Sequence, residues 1–168
     1  MREKTGVGIV ECKTALQEAA GDLANAESLL KARGAQKAAK RAGRAAAQGV
    51  IASYVHGGRI GSLVELNCET DFVARTEEFQ RLGRELAMQV TASAPRWVRR
   101  EDVPADALAA ERPAYASDDT FFAATCLLDQ PYIRDEKRAV RDLLNEVGVK
   151  TGERVDVRRF TRYELGER

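Results

Sequence analysis

The chain has 168 residues, which is enough for one domain or for one domain with a small appendage. Its hydrophobic share of 44% and charged share of 32% are typical of a soluble globular protein, and no apolar run approaches the roughly 18 residues that suggest a membrane span. The 27 basic and 26 acidic side chains nearly balance, so the overall charge predicts no strong attraction to nucleic acid. No secretory leader is visible at the start, so we expect a cytoplasmic protein.

The metal-binding residue types form no typical metal site in the sequence. Three cysteines stand far apart and in no paired spacing: Cys12, Cys68 and Cys126. This spacing predicts reduced, packed thiols and neither a disulfide framework nor a structural zinc site. The carboxylates of Glu65, Glu69 and Asp71 are close in sequence, but a solvated strand face accounts for Glu65. We therefore predict no metal site in this chain.

Common enzyme motifs are incomplete. The one histidine, His56, falls in a predicted hairpin turn, and nothing in the sequence places it beside a cysteine as a general base. The segment TGVG at residues 5–8 lacks the third glycine and the preceding strand of a phosphate-binding loop. We therefore predict a binding protein that is not an enzyme, with no catalytic residue and no cofactor.

The first 33 residues are predicted to be helical. Apolar residues recur at helical spacing in two runs: Ile9, Cys12, Leu16 and Ala19, then Leu23, Ala26, Leu29 and Leu30. Asp22 is placed to cap the second helix and Gly34 to end it. Because two helices of about ten residues are unstable alone, they must pack together and on something further, such as a helix that residues 1–4 begin. We predict a helical module at 1–34 and a linker helix at 35–47.

The basic stretch from Lys31 to Arg44 carries six Lys or Arg residues and no acid. One interpretation is a patch for nucleic acid or an acidic partner, which would make the chain a small RNA-binding protein. The other is a solvated, alanine-rich connecting helix. We favour the connecting helix because no aromatic residue lies between the basic ones to stack on bases.

From residue 48 the apolar pattern alternates, which predicts an α+β core at 48–168. Residues 50–55 and 63–66 read as two strands joined by the glycine-rich turn HGGRIG. An amphipathic helix follows with Thr76 as its cap and core-facing positions Phe79, Leu82, Leu86 and Val90. A short helix begins near Pro104, and residues 118–129 allow no assignment.

The end of the core is predicted to hold a further helix and a last strand. The core-facing residues of this helix are Val140, Leu143, Leu144 and Val147, and Gly148 is expected to close it. ERVDVRRFTRYEL then reads as a strand, in which Phe160 falls out of phase unless a β-bulge intervenes. These patterns together predict a core that contains a hairpin, a last strand and several helices.

Three segments resemble one known family, bacterial elongation factor Ts. They are TGVGIVECKTAL near the start, VELNCETDFVA in the core and VRRFTRYELG at the end, in the family's order. The resemblance implies a guanine-nucleotide exchange factor that binds elongation factor Tu carrying GDP and promotes GDP release, with no direct contact to nucleic acid or membrane. It also implies an N-terminal ubiquitin-associated-like helical module, a linker helix and an α+β core with a small antiparallel sheet covered by helices.

The resemblance also implies the partner-binding residues. The TDFVA motif falls on Thr70, Asp71, Phe72, Val73 and Ala74, of which Asp71 and Phe72 would enter the G domain of elongation factor Tu. The N-terminal module would contact the same domain on another side through Val7, Gly8, Ile9, Val10 and Lys13. The stretch between AAER and LLDQP is shorter here than in the family.

Two features of the core leave alternatives that only a structure separates. Phe72 either folds under the following helix as core or projects as an anchor, and we predict projection because Val73 and Phe79 are available to fill the inner position. The outer face of the hairpin carries Ile51, Val55 and Leu63. Either a second copy of the chain covers this face, giving a homodimer, or the stretch with Phe121 and Phe122 covers it within a monomer.

Overall fold

The computed structural model describes residues 7–167, so the helix expected to begin at residues 1–4 lies outside the described residues. The described helices are α1 (Ile9–Glu18), α2 (Leu23–Arg41), α3 (Asp71–Ala74), α4 (Glu77–Ser93), α5 (Ala105–Glu111), α6 (Asp118–Thr125) and α7 (Val140–Thr151). The strands are β1 (Gln48–His56), β2 (Ile60–Cys68), β3 (Pro131–Tyr132), β4 (Asp135–Ala139) and β5 (Asp156–Glu164). The fold class is α+β, as the alternation of patterns predicts.

The two N-terminal helices pack around a small core of their own, which Val149 of α7 also contacts. Asp22 caps α2 as predicted, because its Oδ1 accepts hydrogen bonds from the amides of Ala24 and Asn25 at 2.9 and 3.1 Å. Ile9 and Leu23, predicted to face inward, are instead 64% and 58% exposed.

The predicted end of α2 at Gly34 is wrong. The helix runs on to Arg41 through the alanines that follow the glycine, so most of the expected linker helix is a continuation of α2. A glycine costs a helix only about 1 kcal/mol relative to alanine, which good helix formers and tertiary packing can offset. Here the packing partner is α7, since Val149 Cγ2 would lie 3.6 Å from a Cβ at position 34.

The main sheet has three antiparallel strands in the order β1-β2-β5. Val64 of β2 pairs with Phe160 of β5, whereas Leu66 pairs with Val157. The register therefore shifts between Glu65 and Leu66, which confirms the predicted bulge and returns Phe160 to the inner face.

Helix α4 covers the inner face of the sheet. Its predicted core positions are all buried: Phe79, Leu82, Leu86 and Val90. Gly83 allows the close approach, because a Cβ there would lie only 3.0 Å from the Cβ of Ala52 on β1. Thr76 caps this helix as predicted, accepting from the amide of Phe79 at 3.3 Å.

In the C-terminal part, the structure corrects one predicted helix end and assigns the stretch that the sequence left open. Helix α7 does not close at Gly148 but continues to Gly152, whose φ of +75° provides the left-handed conformation that commonly ends helices. Gly148 lies buried inside the helix, and its carbonyl oxygen accepts a hydrogen bond from Arg41 Nη1 at 2.9 Å. The unassigned stretch forms α6 and a short 3-10 turn (Leu127–Asp129).

The cover proposed for the outer face in a monomer is absent from the described part of the chain. Phe121 is fully buried elsewhere, with its ring centroid 5.2 Å from that of Tyr115 and 6.3 Å from that of Trp97. On the outer face, Ile51 and Val55 remain 64% exposed and Leu63 48% exposed. Phe121 therefore packs with Tyr115 and Trp97 and does not cover the outer face of the sheet.

The three cysteines are free thiols and are buried, as their spacing predicts. Within residues 7–167, no helix combines the length and apolar character needed to cross a membrane.

Candidate functional site

The TDFVA motif lies at the junction between β2 and α4, where it forms the four-residue helix α3. Thr70 begins this helix: its Oγ1 accepts from the amide of Val73 at 3.4 Å, and its carbonyl oxygen accepts from the amide of Ala74 at 3.2 Å. At the other end, Gln80 Nε2 donates to the carbonyl oxygen of Ala74 at 2.8 Å. The motif therefore has a defined conformation anchored at both ends.

Phe72 projects from α3 into solvent with 79% of its surface exposed. The inner positions are filled by its neighbours, since Ala74 is buried and Val73 packs against the main core. Phe79, the third residue of α4, is fully buried in the same main core. The prediction that Phe72 projects is confirmed, and the aromatic ring is available for contact with another molecule.

Asp71 lies beside Phe72 at the surface. Its carboxylate forms an ion pair with Arg75 one turn later, with 2.8 Å between Oδ2 and Nη2. The Asp71 side chain is 46% exposed and that of Arg75 78%. Exposed pairs of this kind contribute little to stability, so the carboxylate can exchange Arg75 for another partner at low cost.

Glu153, in the loop between α7 and β5, holds the segment that leads into the motif. Its Oε2 accepts hydrogen bonds from the amides of Glu69 and Thr70 at 3.0 and 3.1 Å, and its Oε1 accepts from the Thr70 hydroxyl at 2.5 Å. We did not predict this residue from the sequence, because 83 positions separate it from Thr70 and no local pattern marks it.

Glu69 in turn contacts the loop that carries Glu153. Its Oε1 accepts from the amide of Arg154 at 2.6 Å and from Arg44 Nη1 at 3.3 Å. The hydrogen bond from the Arg154 amide, helped by the nearby Arg44 guanidinium, lowers the pKa of Glu69 below its ordinary value. Arg154 in turn donates to the carbonyl oxygen of Arg44 at 2.8 Å, which ties the end of the N-terminal helices to the same loop.

Cys68 is buried beneath this segment, and its Sγ lies 3.1 Å from the carbonyl oxygen of Thr70. Burial raises the pKa of the Cys68 thiol to about 11. The thiol is therefore almost fully protonated at neutral pH and serves as packing beneath the motif, not as a nucleophile.

The N-terminal residues expected to bind a partner divide into buried and exposed positions. Val7 is buried in the small core of the helical module, so its side chain is unavailable for contact. Gly8, Ile9, Val10 and Lys13 are exposed, with Ile9 and Val10 at 64% and 76%. Two adjacent exposed aliphatic side chains at the start of α1 thus form a second apolar surface.

The basic stretch from Lys31 to Arg44 is largely paired with groups of the same chain. Four of its side chains lie within ion-pair distance of acidic residues: Lys31 with Asp142, Arg33 with Glu18, Lys37 with Glu11, and Arg44 with Glu69. These pairs reduce the positive field that the stretch presents to solvent.

The residues suited to metal or acid-base chemistry form no cluster of the kind that such chemistry needs in the described residues. Within the described range 7–167, no three His, Cys, Asp or Glu side chains cluster as metal ligands would. His56 lies at the hairpin turn, with Nδ1 3.3 Å from the Tyr54 hydroxyl. The motif itself presents an aromatic ring and a carboxylate, a combination suited to recognising another protein.

Comparison with known proteins agrees with the sequence resemblance. A family model described as "Elongation factor TS" matches residues 25–120. The elongation factor Ts of Anaeromyxobacter dehalogenans strain 2CP-1 is 49% identical over 187 residues, covering 99% of this chain and 85% of that protein. The elongation factors Ts of Thermotoga maritima and Desulforamulus reducens are 48% and 46% identical, again over 99% of this chain and over 93% and 86% of their own lengths. The chain therefore belongs to the elongation factor Ts family and is a translation elongation factor.

Proposed function

We propose that this chain is a guanine-nucleotide exchange factor that binds elongation factor Tu carrying GDP and promotes GDP release. The observation that carries the proposal is the position of Phe72, an almost fully exposed aromatic ring on a helix anchored at both ends. Exposed aromatic side chains on rigid supports are frequent energetic centres of protein interfaces, contributing about 2 kcal/mol or more when buried by a partner.

Exchange of this kind needs no covalent chemistry. If the factor binds nucleotide-free elongation factor Tu more tightly than the GDP-bound form, thermodynamic reciprocity requires that it weaken GDP binding by the same factor. The proposed differential contact is Phe72, inserted where a switch element of the partner would otherwise pack. Asp71 would act beside it by disturbing the environment of the magnesium ion that bridges the phosphates in the partner.

We also propose that the N-terminal module forms a second contact with the G domain of the same partner. Ile9 and Val10 supply exposed apolar surface and Lys13 a positive charge, whereas buried Val7 supports the surface from within. A second contact on the same molecule raises overall affinity through effective concentration, without any change in the first. We propose accordingly that the chain acts in the cytoplasm.

The rival function is RNA binding through the basic stretch from Lys31 to Arg44. RNA binding driven by phosphate contacts requires cations that are free to replace counterions. Four of the cations in this stretch lie in ion pairs within the chain, which favours the role of a structural connecting helix.

One experiment separates the two functions. The chain is mixed with elongation factor Tu carrying a fluorescent GDP, and nucleotide release is followed by stopped flow while complex formation is followed on a sizing column. We expect a stable complex and release that accelerates with the concentration of the chain. RNA retained in a filter assay at about 0.15 M salt, with no complex and no accelerated release, would instead favour the rival.

We further propose that two copies of the chain associate through the outer face of the sheet. This face carries Ile51, Val55 and Leu63, and Tyr163 of β5 lies on it as well because Tyr163 pairs with Gly61 two residues from Leu63. All four side chains are exposed, which is unusual for neighbouring large apolar residues on a sheet. A twofold dimer would bury this face and present two copies of the motif.

A further inference from the structure

We propose that Glu153 is a positioning residue for the exchange motif: it fixes the backbone at residues 69–70 and thereby the direction in which Phe72 projects. This inference rests on the proposed exchange function and adds a residue that lies outside the TDFVA motif. The Glu153 carboxylate bonds to residues 69 and 70 and makes no described contact with Phe72. Its effect on exchange would therefore pass through the motif.

Helix α3 cannot set its own orientation. It has four residues, far fewer than a helix needs to be stable in isolation. The cap from Thr70 to Val73 is long at 3.4 Å, which makes it a weak anchor. The direction of Phe72 therefore depends on tertiary contacts at the two ends of the motif.

Glu153 supplies the anchor at the first end. A single carboxylate accepts two backbone amides and one hydroxyl from consecutive residues, at 2.5 to 3.1 Å. Hydrogen bonds to an ionised acceptor are about twice as strong as neutral ones, and three that converge on one carboxylate restrict both translation and rotation of the segment. Among residues 7–167, the donors to this carboxylate are the amides of Glu69 and Thr70 and the Thr70 hydroxyl.

The same loop also joins the motif to the N-terminal helices. Glu153 follows α7, and α7 holds α2 through the Gly148 carbonyl oxygen and the Asp142 carboxylate, which contact Arg41 and Lys31. Both proposed partner-binding surfaces are thus fixed to one element. Within its loop, Glu153 bonds to Thr70 of the motif itself, whereas Arg154 bonds to Glu69 just before it. Loss of the Glu153 contacts would loosen the backbone at residues 69–70 and leave the helical module in place.

Three variants test the inference. Glu153→Ala removes all three hydrogen bonds, whereas Glu153→Gln keeps an oxygen that can accept from the two amides. Glu146→Ala is the matched control, because Glu146 is a partly buried carboxylate on α7 that pairs with Arg138 and Lys150 and does not touch the motif.

Two measurements are made on each variant. Amide hydrogen exchange by NMR reports the protection of the Glu69 and Thr70 amides, with the buried Leu66 amide as an internal check on folding. Stopped-flow GDP release from elongation factor Tu, over a range of factor concentrations, gives the maximal release rate. We expect Glu153→Ala to lose protection at both amides and to lower that rate about tenfold, as a misplaced contact group does. The maximal release rate of Glu153→Gln should lie within about threefold of the parent's rate. The rate of Glu146→Ala should equal that of the parent.

A double variant distinguishes positioning from general destabilisation. If Glu153 acts through Phe72, then Phe72→Ala combined with Glu153→Ala should release GDP no more than about twofold more slowly than Phe72→Ala alone. A double variant slowed by the product of the two single effects would overturn the inference. So would a Glu153→Ala variant whose two amides stay protected or whose release rate equals that of the parent.

These readouts also separate the inference from the proposed function. A parent chain that fails to accelerate GDP release would refute exchange activity. Even then, unchanged protection of the Glu69 and Thr70 amides in Glu153→Ala would overturn the positioning role, and lost protection would support it.

Discussion

Replacing Phe72 by alanine should impair nucleotide exchange and leave the fold intact. The side chain is 79% exposed, so its removal takes little buried surface from the folded chain. Surface substitutions of this kind usually change the free energy of unfolding by no more than about 0.5 kcal/mol. The expected loss lies in the complex, where we propose that the ring is buried against the partner.

The size of that loss follows from the exposed surface. Complete burial of a phenylalanine side chain is worth about 1.5–3 kcal/mol, and most of this ring is still available for burial by a partner. A loss of roughly 2 kcal/mol that acts on the transition state for release corresponds to a rate about 30-fold lower, and we expect at least about tenfold.

Stopped-flow release of fluorescent GDP from elongation factor Tu measures the rate, and circular dichroism with urea unfolding measures the fold. Leu165→Ala is the control for loss of an exposed apolar side chain, because Leu165 is 64% exposed and lies outside both the TDFVA motif and the N-terminal surface on α1. Phe79→Ala is the opposite case: its ring is fully buried, so this variant should lose about 3–5 kcal/mol of unfolding free energy. A folded Phe72→Ala variant with the exchange rate of the parent would refute the wedge role.

The other predictions concern assembly, packing and pH. Light scattering of the parent over a concentration series should give a mass that rises toward twice 18.5 kDa. The Leu63→Lys variant should keep the monomer mass at every concentration. A monomer mass for the parent throughout the series would contradict the dimer. Two Gly→Ala variants should change the free energy of unfolding, measured with urea, in opposite directions. Gly34→Ala should raise it by about 0.5–1 kcal/mol, because alanine favours a helix and the new Cβ makes only ordinary contact. Gly83→Ala should lower it by about 1 kcal/mol, because the new Cβ would lie 3.0 Å from the Cβ of Ala52. Equal shifts for both would show that helix propensity alone decides. Because the folded pKa of Glu69 is lowered, the stability it contributes is complete above its ordinary pKa of 4.5 and is lost as pH falls through the lower folded value. Unfolding of Glu69→Gln should therefore depend less on pH below about 4.5 than unfolding of the parent, and identical pH profiles would contradict this.

Local patterns in the sequence were sufficient for most secondary structure. The hairpin strands alternate in polarity because successive side chains of a strand face opposite sides, and this same alternation predicted the bulge near Phe160. Asp22 and Thr76 marked helix starts because a side-chain oxygen there can satisfy free backbone amides, and both caps are present. The TDFVA motif was likewise recognisable because its residues are contiguous.

Helix ends and short elements were harder, since tertiary contacts decide between states of similar free energy. Gly34 and Gly148 both read as helix ends, yet each lies inside a helix at the contact between α2 and α7. The β3–β4 hairpin was missed because its few residues are mostly charged and carry no clear alternation. A glycine changes helix stability by about 1 kcal/mol, which packing of this kind readily exceeds.

The sequence by itself determined the class of fold, the family resemblance and the segment that carries the proposed function, because each depends on residues adjacent in the chain. Only the tertiary structure decided that Phe72 projects, since it places Val73 and Phe79 in the main core and leaves Phe72 79% exposed. Only the structure joined Glu153 to Thr70 across 83 positions. A hydrogen bond between distant residues leaves no periodic or local trace in a single sequence, so such contacts emerge only when the chain is folded.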